Sequence, residues 1–197
     1  APGERVLVVS NQDAFEFRYG AGMGMIAGSY SGNLRNSGER VRLESADALS
    51  IADFTYGDKI PWPVNADGDG YSLVLAGTDP GNPSEWRTSV GIGGNPGGSD
   101  FIPFKGGDLT AYALAAEPHG ETFSDSFLLN LRVNLGTDEA VVRARFSTDL
   151  VNWVTSTENN LVSRTNHGDG TATLLFQSPL PLSATTRQFG ASLIEAR

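Results

Sequence analysis

Short apolar runs recur along the chain, each broken by Gly, Pro, Asn or Asp, and they predict strands separated by tight turns. Arg5–Ser10 (RVLVVS) is a compact apolar strand following a Pro2-Gly3 turn. Gln12–Tyr19 (QDAFEFRY) places Phe15 and Tyr19 four residues apart, which suits a short helix capped by Asn11 or Asp13. Arg40–Leu43 alternates, with Val41 and Leu43 on one face. Ser50–Tyr56 is expected to turn Ile51, Phe54 and Tyr56 inward, and Tyr71–Leu75 alternates again.

The pattern strengthens beyond Asp108. Leu109–Ala116 (LTAYALAA) predicts a short helix capped by Asp108. Strands follow at Phe127–Val133, Val141–Ser147, Asn152–Thr155, Thr171–Gln177 and Gln188–Ile194. Leu129, Leu131 and Val133 share one face. So do Val142, Ala144 and Phe146, while Arg143 and Arg145 point the other way, as in half-buried antiparallel strands. His167-Gly168-Asp169-Gly170 is a hairpin turn. Of 24 glycines, 19 precede Asp108, so loops concentrate in the first half. The Gly- and Pro-rich stretch Gly91–Gly107 reads as a connection. The expected division is a first unit over residues 1–100, a linker over 101–107 and a second unit over 108–197.

A length of 197 residues allows one large or two small domains. Cysteine is absent, which removes disulfides and thiolate chemistry. The net charge is −9 and lysine occurs only at Lys59 and Lys105, so the surface repels nucleic acid and anionic membranes. No apolar run approaches the roughly 20 residues of a membrane helix. The start at Ala-Pro-Gly, without Met, suggests a processed product or a fragment whose export signal lay upstream.

Several ordered blocks carry a family likeness. Gly32–Glu39 (GNLRNSGE, with Asn36 and Gly38) is followed by Ile51–Tyr56 (IADFTY), Pro61-Trp62-Pro63, Ala66–Leu73 (ADGDGYSL, with Gly70), Trp86-Arg87 and Gly94–Gly97. Together they resemble the bacterial lamin-tail domain. The resemblance implies an immunoglobulin-like β-sandwich and a module of secreted or surface proteins. It also implies that the family's opening strands are absent, to be supplied by upstream chain or by another chain through strand addition. Physically, Gly38 and Gly70 suit positions with positive φ. Trp62, between two prolines, is expected to cap the core at one end and Trp86 to close the other. In the second unit, LTAYALAAEP (109–118), STDLVNW (147–153) and Arg187-Gln188-Phe189 resemble a C-terminal β module of secreted proteins from Verrucomicrobia-like bacteria. The fold class expected is therefore all-β: a lamin-tail-like sandwich with its first strands absent, then a second antiparallel β-sandwich with a short helix.

The chemistry is sparse. Histidine occurs only at His119 and His167, both in turn-like settings, and no G-x-S-x-G elbow is present. Gly22–Ala27 (GMGMIA) fits G-x-G-x-x-A, but a dinucleotide site also needs a preceding strand and a following helix, so the run reads as a loop. Asp67 and Asp69, with Asn65 before them, are the candidate calcium ligands. The EF-hand pattern lacks its closing Glu, and the same Asp-Gly pairs also make a plain turn. Trp62, Trp86 and Trp153 could stack on sugars but read as core plugs. The expectation is a non-catalytic, extracellular or cell-surface structural or adhesive module without cofactor. It would pair with protein, including copies of itself, through unpaired strand edges. The alternative is a carbohydrate-binding accessory module of a larger secreted enzyme.

Overall fold

The computed structural model describes residues 4–197; the expected Pro2-Gly3 turn lies outside them. Strands dominate and only 13% of the chain is helical, which makes the class all-β. No helix among the described residues is long and apolar enough to cross a membrane.

The first half consists of three two-stranded ribbons. Strand β1 (Val6–Val9), helix α1 (Gln12–Tyr19) and strand β2 (Met25–Ser29) form the first, with β1 and β2 parallel and α1 in the crossover. The helix starts where expected, because the Asn11 side chain accepts the Ala14 N–H at 2.9 Å. Gly20 ends it at φ +93°, returning its N–H to the Glu16 carbonyl. Within the helix Phe15 packs on Tyr19, whose hydroxyl donates to the Gly93 carbonyl at 2.8 Å.

The second ribbon is the hairpin of β3 (Arg40–Glu44) and β4 (Ser50–Thr55), in which Val41 faces Phe54. Here the expected inward set needs correction. Ile51 is 64% exposed, because strand side chains alternate and Phe54 belongs to the opposite face. Leu43 is also largely exposed. The third ribbon pairs β5 (Leu73–Leu75) with β6 (Trp86–Thr88), and β6 is buried along its whole length.

The second half is antiparallel throughout. Helix α2 (Leu109–Ala113) is capped by Asp108, which accepts the Thr110 N–H at 2.8 Å. Strands β7 (His119–Phe123), β8 (Ser126–Asn134), β9 (Ala140–Ser147), β10 (Val154–Thr155), β11 (Leu161–Asn166), β12 (Thr171–Pro181) and β13 (Phe189–Ala196) follow. They form two sheets, ordered β10-β9-β13 and β11-β12-β8-β7. One buried cluster draws on both: Leu129 and Leu131 of β8, Ala144 and Phe146 of β9, Leu161 of β11 and Phe176 of β12. The alternation read from sequence on β8 and β9 is the alternation that builds this core. The β11–β12 turn falls at His167–Gly170, as its Gly-Asp-Gly sequence predicts.

The Gly-rich connection carries no helix or strand between residues 91 and 108, yet its backbone is fastened. Ile102 N–H donates to the Gly136 carbonyl and Tyr112 Oη donates to the Ile102 carbonyl. Phe104 N–H meets the Glu139 carboxylate.

Candidate functional site

The motif residues of the first half converge on one aromatic cluster. Asn36 and Ser37 occupy the middle of a turn closed by the Gly38 N–H on the Arg35 carbonyl at 3.1 Å. Gly38 has φ +95°, and a Cβ there would stand 2.3 Å from the Tyr56 carbonyl oxygen. Tyr56 answers with its hydroxyl on the Arg35 carbonyl at 2.6 Å. Beyond it, Gly57 lies directly against the Trp62 indole. Trp62 and Trp86 do not sit at opposite ends of the core: their ring centroids are 5.7 Å apart, and Phe54 lies 5.2 Å from Trp86. The close strand and loop partners of these three rings explain that difference, since β6 lies between the hairpin and the second half. Both tryptophans are 9% exposed, and the Trp86 indole N–H donates to the Pro80 carbonyl. Gly70, at φ +82°, accepts the Gly93 N–H at 2.7 Å and ties two loops together.

Asp67 and Asp69 are both exposed. Asn65 Nδ2 donates to Asp69 Oδ2 at 2.8 Å, while Asn65 Oδ1 accepts the Asn166 N–H from β11. The Asn65 side chain is thus committed to fastening the turn, and among the described residues no three acidic or histidine side chains converge as a metal set. Gly22 and Gly24 follow α1 and lead into β2 instead of opening a helix, so the G-x-G-x-x-A run has no helix N-terminus to offer a phosphate. His119 is exposed at the start of β7, and His167 Nε2 contacts Thr173 Oγ1 at 2.8 Å. Among the described residues neither histidine bridges a hydroxyl to a carboxylate. Trp153 is half-buried, with the Arg145 guanidinium 4.8 Å from its ring centre.

Sequence reasoning missed a buried ion cluster where β6 meets the second half. Arg87 is buried and saturated. Its Nε and Nη2 donate to the two oxygens of Asp138 at 2.6 and 2.8 Å. Its Nη1 donates to Asp100 Oδ2 and the Thr88 carbonyl, and Nη2 also to the Asp100 carbonyl. Burial alone would lower the guanidinium's pKa; the bonds from Asp138 and Asp100 more than offset it and raise the value. Asn166 on β11 adds a second tie, donating to Thr88 Oγ1 at 3.1 Å.

Arg164, also on β11, is different. It pairs across the ladder with Leu174, so its side chain projects to the same face as the core. Among the described residues its one direct bond is a long one, Nη1 to the Trp86 carbonyl at 3.3 Å, and its buried Nε has no partner. Burial lowers its pKa to about 10, with the charge of Glu158 only partly offsetting this. A cavity of about 730 Å³ opens here, between the loops flanking β6 and the inner faces of both sheets. No single residue near Arg164 announces this in the sequence; the only local hint is a charged residue on a strand whose neighbours alternate.

Comparison with known protein families, with characterised proteins and with solved structures gives no match for the chain.

Proposed function

We propose that the chain is a non-catalytic structural or adhesive module, working outside the cell or on its surface, that assembles with protein partners, including copies of itself, through unpaired strands. The carrying observation is the state of the first half. The outer edges of two of its ribbons, β1–β2 and β3–β4, are paired by no further strand among the described residues and are open to addition. A two-stranded ribbon is marginal by itself and gains from a third strand. The side chains flanking these edges are apolar and solvent-facing: Val6 and Val8 on β1, Met25 on β2, Leu43 on β3 and Ile51 on β4.

We further read the first half as lamin-tail-like and the two sheets of the second half as a sandwich in a domain of its own. The supports are the Gly38 turn packed on Tyr56, the Trp62–Trp86 contact and the core shared by the two sheets. A sugar-binding reading needs an open aromatic platform. Trp62 and Trp86 face each other, and Arg145 covers Trp153.

The test is the oligomeric state of the purified chain by light scattering across a concentration series, beside Ile51→Lys. Ile51 projects into solvent, so lysine there leaves the hairpin intact and charges its edge. The wild type is expected to associate as concentration rises and the variant to stay monomeric. A wild type that remains monomeric up to its solubility limit overturns assembly between copies.

A further inference from the structure

We propose that the junction cavity binds a small amphipathic carboxylate, with Arg164 as the seat for its carboxyl group. Four arginines line the cavity, and the contrast between Arg87 and Arg164 carries the inference. Arg87 has both forks filled by Asp138, Asp100 and backbone carbonyls. Arg164 projects beside Leu174 on a core-facing surface, without a carboxylate within the 4.0 Å ion-pair distance among the described residues. A guanidinium held away from water without a counter-ion is costly, and a ligand anion relieves that cost.

The unpartnered edge of the guanidinium defines the ligand. Nε, the unpartnered one, lies on the edge of the guanidinium that engages two oxygens side by side, which is the geometry of a carboxylate. One charge is the right number. Among the acids and bases lining the cavity, Asp138 is held by Arg87, Glu85 accepts the Thr78 and Asp79 N–H groups beside Arg197, and Arg143 pairs with Glu195. Arg164 faces only Glu158, which stands beyond ion-pair distance. A dianion would meet Glu158 and Glu85 across the same space. The body of the ligand is apolar, because Ala172, Leu174 and Phe176 on the neighbouring strand and Val142 of the other sheet line the cavity. A volume of about 730 Å³ falls within the range of roughly 300–1,000 Å³ typical of small-molecule pockets.

Titration calorimetry of the full chain with octanoate, octanol and acetate tests this. Octanoate is expected to bind saturably at one site, with octanol and acetate each at least about tenfold weaker, since one lacks the charge and the other the tail. Arg164→Gln is expected to weaken octanoate by at least about tenfold, and Arg42→Gln, on the exposed β3, to leave it unchanged. Where Arg164→Gln loses its near-ultraviolet circular dichroism, Arg164→Lys replaces it: the charge stays, the fork is lost, and binding weakens several-fold. The octanoate–octanol comparison on the unaltered chain stands whatever the variants do. Absence of saturable octanoate binding, octanol binding as tightly as octanoate, or a folded Arg164 variant that binds like wild type would each overturn the proposal.

Discussion

Arg87 and Asp138, separated by 51 positions in sequence, form a two-bond clasp with Nε–Oδ1 at 2.6 Å and Nη2–Oδ2 at 2.8 Å. It joins the third ribbon to the turn between β8 and β9, so residues before position 100 and after 108 share a buried ion cluster. Losing Asp138 strips two charge-assisted hydrogen bonds from a buried guanidinium and leaves Asp100 as its remaining carboxylate.

Asp138→Asn is therefore expected to cost about 1.5–3 kcal/mol of folding stability, read by urea denaturation. Asp169→Asn breaks a single-bond pair with Arg132, but both side chains there are about half exposed, and the loss is expected to be clearly smaller. Equal effects from the two substitutions would contradict the distinction.

Gly38→Ala tests the turn against Tyr56. The left-handed backbone alone costs about 1–3 kcal/mol. The added Cβ must also displace the Tyr56 carbonyl, 2.3 Å away, so the loss exceeds that of Gly106→Ala. Gly106 has a similar φ of +84° with open space around it. Thermal melts of the two variants, compared with wild type, give the difference.

Leu131→Ala empties the centre of the core shared by the two sheets. Leu131 is fully buried, and the expected loss is about 2–5 kcal/mol by denaturant titration. Val162→Ala, on the exposed side of β11, is expected to change stability by less than about 0.5 kcal/mol.

Acid is expected to loosen the β9–β10 connection through Asp149, and only well below the ordinary carboxylate range. The backbone and side-chain amides of Asn152, and then the Val151 N–H, hold its carboxyl far below the ordinary range. The folded value lies below the unfolded one, so the stabilisation is complete above about pH 4 and disappears as pH falls toward the folded value. Amide resonances of Val151 and Asn152 followed through an acid titration report this. Asp149→Asn removes the acid step there and loosens the loop at neutral pH.

Local information in the sequence was enough for local structure. Asn11 and Asp108 mark both helix starts because a cap is a contact within three residues. The alternation of β8 and β9 identifies the core because each strand is half-buried. Ile51 shows the limit: choosing inward residues by hydrophobicity instead of by odd and even position puts it on the wrong face. β7 escaped notice because an exposed edge strand has no apolar face to reveal it. The parallel β1–β2 pairing, the Trp62–Trp86 contact, the Arg87 clasp and the Arg164 cavity all depend on distant partners, and single-sequence patterning carries no such pairing. The blocks that resemble a lamin-tail domain draw attention to Gly38, Gly70 and both tryptophans, yet say nothing of how the second half grips them.

The fastening of residues 100–104 changes what the glycine-rich connection means mechanically. A tension applied across the chain would not be taken up by slack in that stretch. It would load the Arg87 clasp and the Ile102–Gly136 hydrogen bond side by side, so that the two must yield together before the halves part. The seam between the halves is then a strain-bearing part and not a tether.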